Sequence, residues 1–178
     1  MGTSAIVATV GGASSNSYCT LAEADQYQDD RTPSGTTWSA ETDANKNRAL
    51  LFATTLLEAC VIWTGTVKTD TQALQWPRYG MVAKNNVYPV DNDVVPDELK
   101  HAQAEFARQI LADVDRTNDN PVETQGITSL SAGSVSLTFS ENQAIKMVPD
   151  LCFLYLPQWW VESIRGRSSA TRVLVRGY

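Results

Sequence analysis

The sequence predicts a mainly α fold: a small helical domain of about four helices, with an inserted β-hairpin and an extended arm at each end. Three observations predict it. Apolar residues recur every three or four positions through residues 40–62 and 96–116, the spacing of one helix face. The period drops to two between Ile127 and Ser140, where Val135, Leu137 and Phe139 alternate with Ser134, Ser136, Thr138 and Ser140. Charge is divided unevenly. Residues 1–164 hold ten Lys/Arg against twenty Asp/Glu, whereas the last fourteen hold Arg165, Arg167, Arg172 and Arg176 and no acid.

The elements follow in chain order. Residues 1–17 are rich in Gly, Ser, Thr and Ala, and the Ile6–Val10 run suits an N-terminal arm or strand. Thr20 is placed to cap the first helix, and Glu23, three residues on, completes a capping box. That helix runs from Leu21 to about Asp29, with Leu21, Ala24 and Tyr27 or Gln28 on one side. Ser39 is the expected cap of a second helix, Ala40 to about Ile62. Leu50, Ala53, Leu57 and Val61 form its stripe, widened by Leu51 and Phe52. A long loop from Trp63 to Val95 is punctuated by Gly65, Pro77, Gly80 and Pro89. Pro96 stands in the first turn of a third helix, where its missing N–H costs nothing. This helix runs to about Arg116 with Leu99, Ala102, Phe106, Ile110 and Val114 on one face. The hairpin, about 127–140, turns at Ala132-Gly133. Pro149 opens a short apolar helix through Leu156, and Pro157 ends or kinks it before a turn carrying Trp159 and Trp160. Residues 18–164 thus read as one helical domain and 165–178 as a basic C-terminal docking arm.

Composition excludes several classes of function. With 178 residues and a net charge of −6, a packed core is expected and an acidic surface with it. Such a surface argues against wrapping nucleic acid, because phosphate neutralisation supplies most non-specific affinity. The longest uninterrupted apolar run, Leu151–Leu156, is six residues. A bilayer span needs roughly 18, so no membrane partner is expected. The N-terminus lacks the basic and apolar regions of a signal peptide, which points to synthesis and use in a cytoplasm. Cys19, Cys60 and Cys152 are widely spaced and read as buried reduced thiols.

No constellation supports catalysis. His101 is the only histidine and lies within a helical turn of Glu98 and Glu105, so an ordinary side-chain pair accounts for it. Asp91-Asn92-Asp93 opens like a calcium loop, but Pro96 stands where that loop needs glycine and Ala102 where it needs glutamate. Gly11-Gly12 lacks the further glycines of a nucleotide motif. The sequence therefore assigns no catalytic residue, no cofactor and no metal, and the chain is expected not to be an enzyme.

The candidate residues are for docking. In the arm, Val173 and Val175 alternate with Arg172, Leu174 and Arg176, the pattern of an edge strand that pairs with another chain. Arg165, Arg167, Arg172, Val173, Leu174, Val175, Arg176 and Tyr178 are thus expected to bind a partner. Trp159 and Trp160 join them: adjacent aromatics cannot both face one helical stripe, so at least one leaves the local core. Trp76-Pro77-Arg78-Tyr79 has the residue types that stack single-stranded bases. With no basic stripe around it, a loop anchored by a buried Trp is expected instead.

Five segments occur in a recognisable order over about residues 15–115. They are Asn16-Ser17-Tyr18 leading into Thr20-Leu21-Ala22-Glu23-Ala24-Asp25-Gln26-Tyr27, then Arg48-Ala49-Leu50 with Ala53-Thr54 and Leu57, then Trp63-Thr64-Gly65. Gln72-Ala73-Leu74-Gln75-Trp76-Pro77-Arg78 follows, and Val95-Pro96 precedes Ala102, Glu105 and Ala107. Together they resemble a family of tailed-bacteriophage proteins often labelled DnaT-like single-stranded DNA-binding, whose members look like head–tail connectors, or adaptors, of the virion neck. The resemblance implies a structural virion protein, assembled in the host cytoplasm. It would form a ring of its own copies, expected to be twelvefold, between the portal protein and the tail (nozzle or stopper) proteins. The C-terminal arm would reach into the portal, and double-stranded DNA would pass through the lumen as cargo. An acidic lumen would repel DNA phosphates and let the genome slide. Taken literally, the label implies a single-stranded DNA-binding replication protein instead; a minor capsid or tail-completion protein is the third alternative. The Ser-rich hairpin and the arm lie outside these segments.

Overall fold

Two long helices organise the fold, α3 (Asp43–Cys60) and α4 (Asp97–Ala112), after the shorter α1 (Leu21–Arg31) and α2 (Thr37–Ala40). The computed structural model describes residues 5–31, 37–85, 87–112, 129–132, 135–138 and 148–165. Helices α3 and α4 pack against each other, and α1 and α2 lie against α4. Small buried residues (Ala49, Ala53, Ala102, Ala107) are interleaved with large ones (Leu50, Leu57, Leu99, Phe106), which lets the two helices approach closely.

The helix starts show which local signals decided the fold. Helix α1 begins at the expected box: Thr20 N–H donates to the Glu23 carboxylate at 2.7 Å, and Glu23 N–H donates to Thr20 Oγ1 at 3.2 Å. Helix α3 begins later than Ser39 predicts. Thr42 is its cap, accepting from Asn45 N–H at 3.3 Å, and Ser39 falls inside α2. Trp38 explains the separation: it is buried and donates its indole N–H to Asp25 at 2.8 Å, which holds residues 37–40 as a turn of their own. Helix α4 starts where Pro96 predicts, with the Pro96 carbonyl accepting from Leu99 and Lys100 N–H. Leu99, Ala102, Phe106 and Ile110 are buried as expected, while Val114 and the stretch to Arg116 lie outside the described residues.

The long loop predicted from Trp63 to Val95 is corrected by three pieces of strand. Helix α3 ends at Cys60, and Val61–Trp63 is β1; a β-branched pair and an aromatic favour extended backbone over another helical turn. Strands β2 (Thr66–Val67) and β3 (Arg78–Tyr79) pair antiparallel. Gly65, at φ +69°, makes the turn between β1 and β2, and a Cβ there would lie 2.2 Å from the Tyr79 carbonyl oxygen. The inserted hairpin is present: β4 (Ser129–Ala132) faces β5 (Val135–Thr138), with Ser129 opposite Thr138 and Ala132 opposite Val135.

Helix α5 (Asp150–Phe153) is shorter than the predicted 149–156, and after Pro157 a 3₁₀ turn carries Gln158–Trp160. Strand β6 (Val161–Ile164) then returns antiparallel to β1, with Val61 opposite Ile164. Residues 5–17 form an irregular loop laid on the body. Asn16 ties it through Val7 N–H to its Oδ1 (2.8 Å) and its own N–H to Val7 O (2.9 Å), and Ala73 N–H donates to Gly12 O. The protein is mainly helical with a β-hairpin.

Candidate functional site

The residues of the recognisable segments converge on buried polar knots. Gln103 is 0 % exposed on α4. Its Oε1 accepts from Tyr18 and Cys19 N–H, both at 3.0 Å. Its Nε2 donates to Ser17 Oγ (2.8 Å), Thr54 Oγ1 (2.8 Å) and Leu50 O (3.1 Å). One amide thus fastens the segment before α1 to both long helices. Sequence reasoning missed it, although a glutamine on the stripe between Leu99 and Phe106 was the available signal.

A second knot joins α3 to the loop before β3. Tyr18 donates its hydroxyl to Glu58, which also accepts from Gln75 N–H at 3.2 Å, and Gln75 Nε2 donates to Glu58 O at 3.2 Å. Burial pushes the Glu58 carboxyl above its ordinary value, outweighing the bonds from Tyr18 and Gln75 and the nearby Arg78 charge. Arg78 is buried and donates to four backbone carbonyls: Thr64 (2.8 Å), Gly65 (2.9 Å), Gln75 (3.1 Å) and Trp63 (3.4 Å). Trp76 is buried between Trp63 (5.7 Å between ring centres, edge-on) and Trp160 (5.0 Å). Trp76-Pro77-Arg78 is therefore the anchored loop that was expected, and of the four residues only Tyr79 is exposed.

The third knot corrects the expectation for His101. Glu105 is fully buried and paired with Arg31 (3.1 Å) and Arg108 (2.6 Å). His101 stacks on Tyr27 at 4.7 Å and meets Tyr155 edge-on, rather than pairing with either glutamate. The three cysteines are free and buried, and burial pushes the Cys19 thiol up to about 12.

These knots and a few ion pairs occupy most cations of the body. Lys46 pairs with Asp25 (2.8 Å), Lys100 with Glu23 (2.6 Å), and Arg48 donates to Asn45. Among the described residues, Lys68, Lys84 and Arg165 carry no ion pair.

The two candidate tryptophans separate. Trp160 is 1 % exposed and Trp159 42 % exposed, yet both indole N–H groups donate to Val82 O, at 2.6 and 3.0 Å. Val82 bridges to Pro89, and Ala83 N–H donates to Tyr88 O at 2.7 Å. Val87 and Tyr88 in this loop are 69 % and 67 % exposed. The structure therefore brings Trp159 beside an exposed apolar loop that sequence reasoning had not singled out. Arg165 N–H donates to Cys60 O at 2.7 Å, where β6 ends. Arg167, Arg172, Val173, Leu174, Val175, Arg176 and Tyr178 lie outside the described residues.

No curated protein and no solved structure matches the chain. A family model does, over residues 5–176, a span that takes in the hairpin and most of the arm as well as the five segments. The chain belongs to the family described as "Putative DnaT-like ssDNA binding protein".

Proposed function

We propose that the protein is a structural adaptor of a tailed-phage virion, a ring subunit between portal and tail with double-stranded DNA passing through the lumen. One observation carries this: among the described residues, several of the cations and aromatics that could make a nucleic-acid surface are engaged inside the body. Arg78 serves four carbonyls, Arg31 and Arg108 serve Glu105, and Trp63, Trp76 and Trp160 are buried together. A single-strand binder needs a positively charged groove with aromatic platforms along it. A scaffold subunit needs the reverse, a body whose polar groups are fixed internally and peripheral segments that dock. The acidic balance suits a channel wall that does not hold DNA. The basic arm, 165–178, supports the reading through its period-two pattern and lack of acids.

The second reading follows the family description, a single-stranded DNA-binding protein. It is favoured by the exposed Trp159 and Tyr88 with the unpaired Lys84 nearby, residue types on which bases stack.

Electron microscopy of the phage's portal mixed with the purified chain tests the proposal. The full chain is expected to add a ring beneath the portal, and a chain ending at Arg165 to add none. A bare portal with the full chain would overturn it.

A further inference from the structure

The loop beside Trp159 has an unusual surface. From Val87 to Val94 it reads Val-Tyr-Pro-Val-Asp-Asn-Asp-Val. Val87, Tyr88 and Val94 are exposed, as are Asp91 and Asp93, and neither aspartate has a cation within ion-pair distance among the described residues. Trp159 extends the apolar area through its bond to Val82, which bridges to Pro89. Lys84 is the cation that adjoins it in the chain, so the two aspartates prevail and the peptide that fits such a surface carries apolar and mainly cationic side chains. Residues 165–178 are that peptide: Arg172-Val173-Leu174-Val175-Arg176, with Tyr178 beyond.

We propose that this loop, residues 87–94 with Trp159, receives the C-terminal arm of a second copy of the chain, joining subunits head to tail. Strand β6 runs from Trp160, whose indole reaches Val82, to Arg165, held at Cys60. The described chain thus ends beside Cys60, one strand length from the Val82 contact of Trp160. The thirteen residues after Arg165 can extend about 43 Å, at roughly 3.3 Å each, enough to cross to a neighbouring subunit. Arg172, Leu174 and Arg176 share one face of an extended arm, and charge sets the register by placing that face on the loop: the arginines reach toward Asp91 and Asp93, and Leu174 covers Val87, Tyr88 and Trp159. A contact between two different surfaces propagates, and it closes into a ring when the rotation closes. One such contact is weak in dilute solution, and a closed ring strengthens it by making each link intramolecular. The inference rests on the assembly reading for its setting, while its test needs neither portal nor virion.

Disulfide trapping of two full-length variants, Tyr88→Cys and Leu174→Cys, tests it, since the native cysteines are buried. Mixed under mild oxidation, they are expected to form a mixed dimer above the level either gives alone, with Val87→Cys as a second trapping position. Asp91→Lys with Asp93→Lys in the first chain should cut that dimer about tenfold by placing like charges together. Arg172→Glu with Arg176→Glu in the second chain should restore it. Absence of the mixed dimer from both trapping positions would overturn the proposal. So would a double variant, Tyr88→Cys with Leu174→Cys, that closes only within one chain. A mixed dimer indifferent to charge reversal would remove the charge-matched register and overturn it as well.

Discussion

Trp160 and Trp159 are neighbours in the chain and donate to the same carbonyl, yet they belong to different regions of the molecule. Trp160 closes a buried knot with Trp76 and Trp63, next to Arg78 and Glu58. Trp159 lies on an exposed face with Val87 and Tyr88. The knot holds residues that look like nucleic-acid chemistry when read as a string, and folding turns them inward onto backbone carbonyls. The face holds residues that look ordinary, and folding leaves them open. In this protein, residue type points toward the core and exposure points toward partners.

Substituting the two tryptophans in turn separates the buried knot from the open face by the largest margin. Trp160→Ala should destabilise the protein by about 3–5 kcal/mol, the usual cost of deleting a fully buried aromatic. Trp159→Ala should cost about 1 kcal/mol or less, because a half-exposed ring loses little burial and Val82 O keeps its bond from Trp160. Urea unfolding measures both. Equal losses would place Trp159 in the core and dissolve the distinction.

Gln103→Leu comes next. It strands the buried Tyr18 and Cys19 N–H donors, each costing about 1–3 kcal/mol without an acceptor, so a loss of about 2–4 kcal/mol is expected after the gain in apolar burial. A loss below that range would mean that water or a backbone group takes the place of the glutamine.

The pH response sharpens the account of the second knot. Burial raises the folded-state value of Glu58, so the native protein holds that proton to higher pH than the unfolded chain does. Its contribution to stability is full below the unfolded value of about 4.3 and is lost as pH rises through the raised folded value. Comparing wild type with Glu58→Gln isolates it: the difference in unfolding free energy should move in favour of the wild type as pH falls from neutral. No change in that difference, or a change of opposite sign, would mean that the bonds to the carboxylate outweigh its burial.

The smallest effect is expected on the open face. Tyr88→Ser should change stability by no more than about 0.5 kcal/mol, as an exposed side chain away from caps and pairs does.

What the sequence made legible were the features with strong local signals. The Thr20–Glu23 box, the Leu99–Ile110 stripe and the hairpin of alternating residues were all placed correctly. Ser39 misled because two hydroxyls three residues apart both suit a cap, and the choice between them was made by Trp38 docking on Asp25. The pairing of β1 with β6 was out of reach, since strands of three and four residues carry no readable period and the partner lies about a hundred residues away. Of the site, the departure of one tryptophan from the core was anticipated, but which one could not be read from a pair. Exposure of Val87 and Tyr88 is set by the Val82–Pro89 bridge, a tertiary detail without a sequence signature.

The adaptor proposal requires that the helical body hold no single-stranded DNA. The most direct measurement is fluorescence anisotropy of a labelled oligothymidine at physiological salt, titrated with the full chain and with a chain ending at Arg165. The full chain is expected to bind weakly, with Kd above about 10 µM and through the arginines of its arm. The shortened chain is expected not to bind. Sub-micromolar affinity retained by the shortened chain would contradict the account and assign the body to DNA.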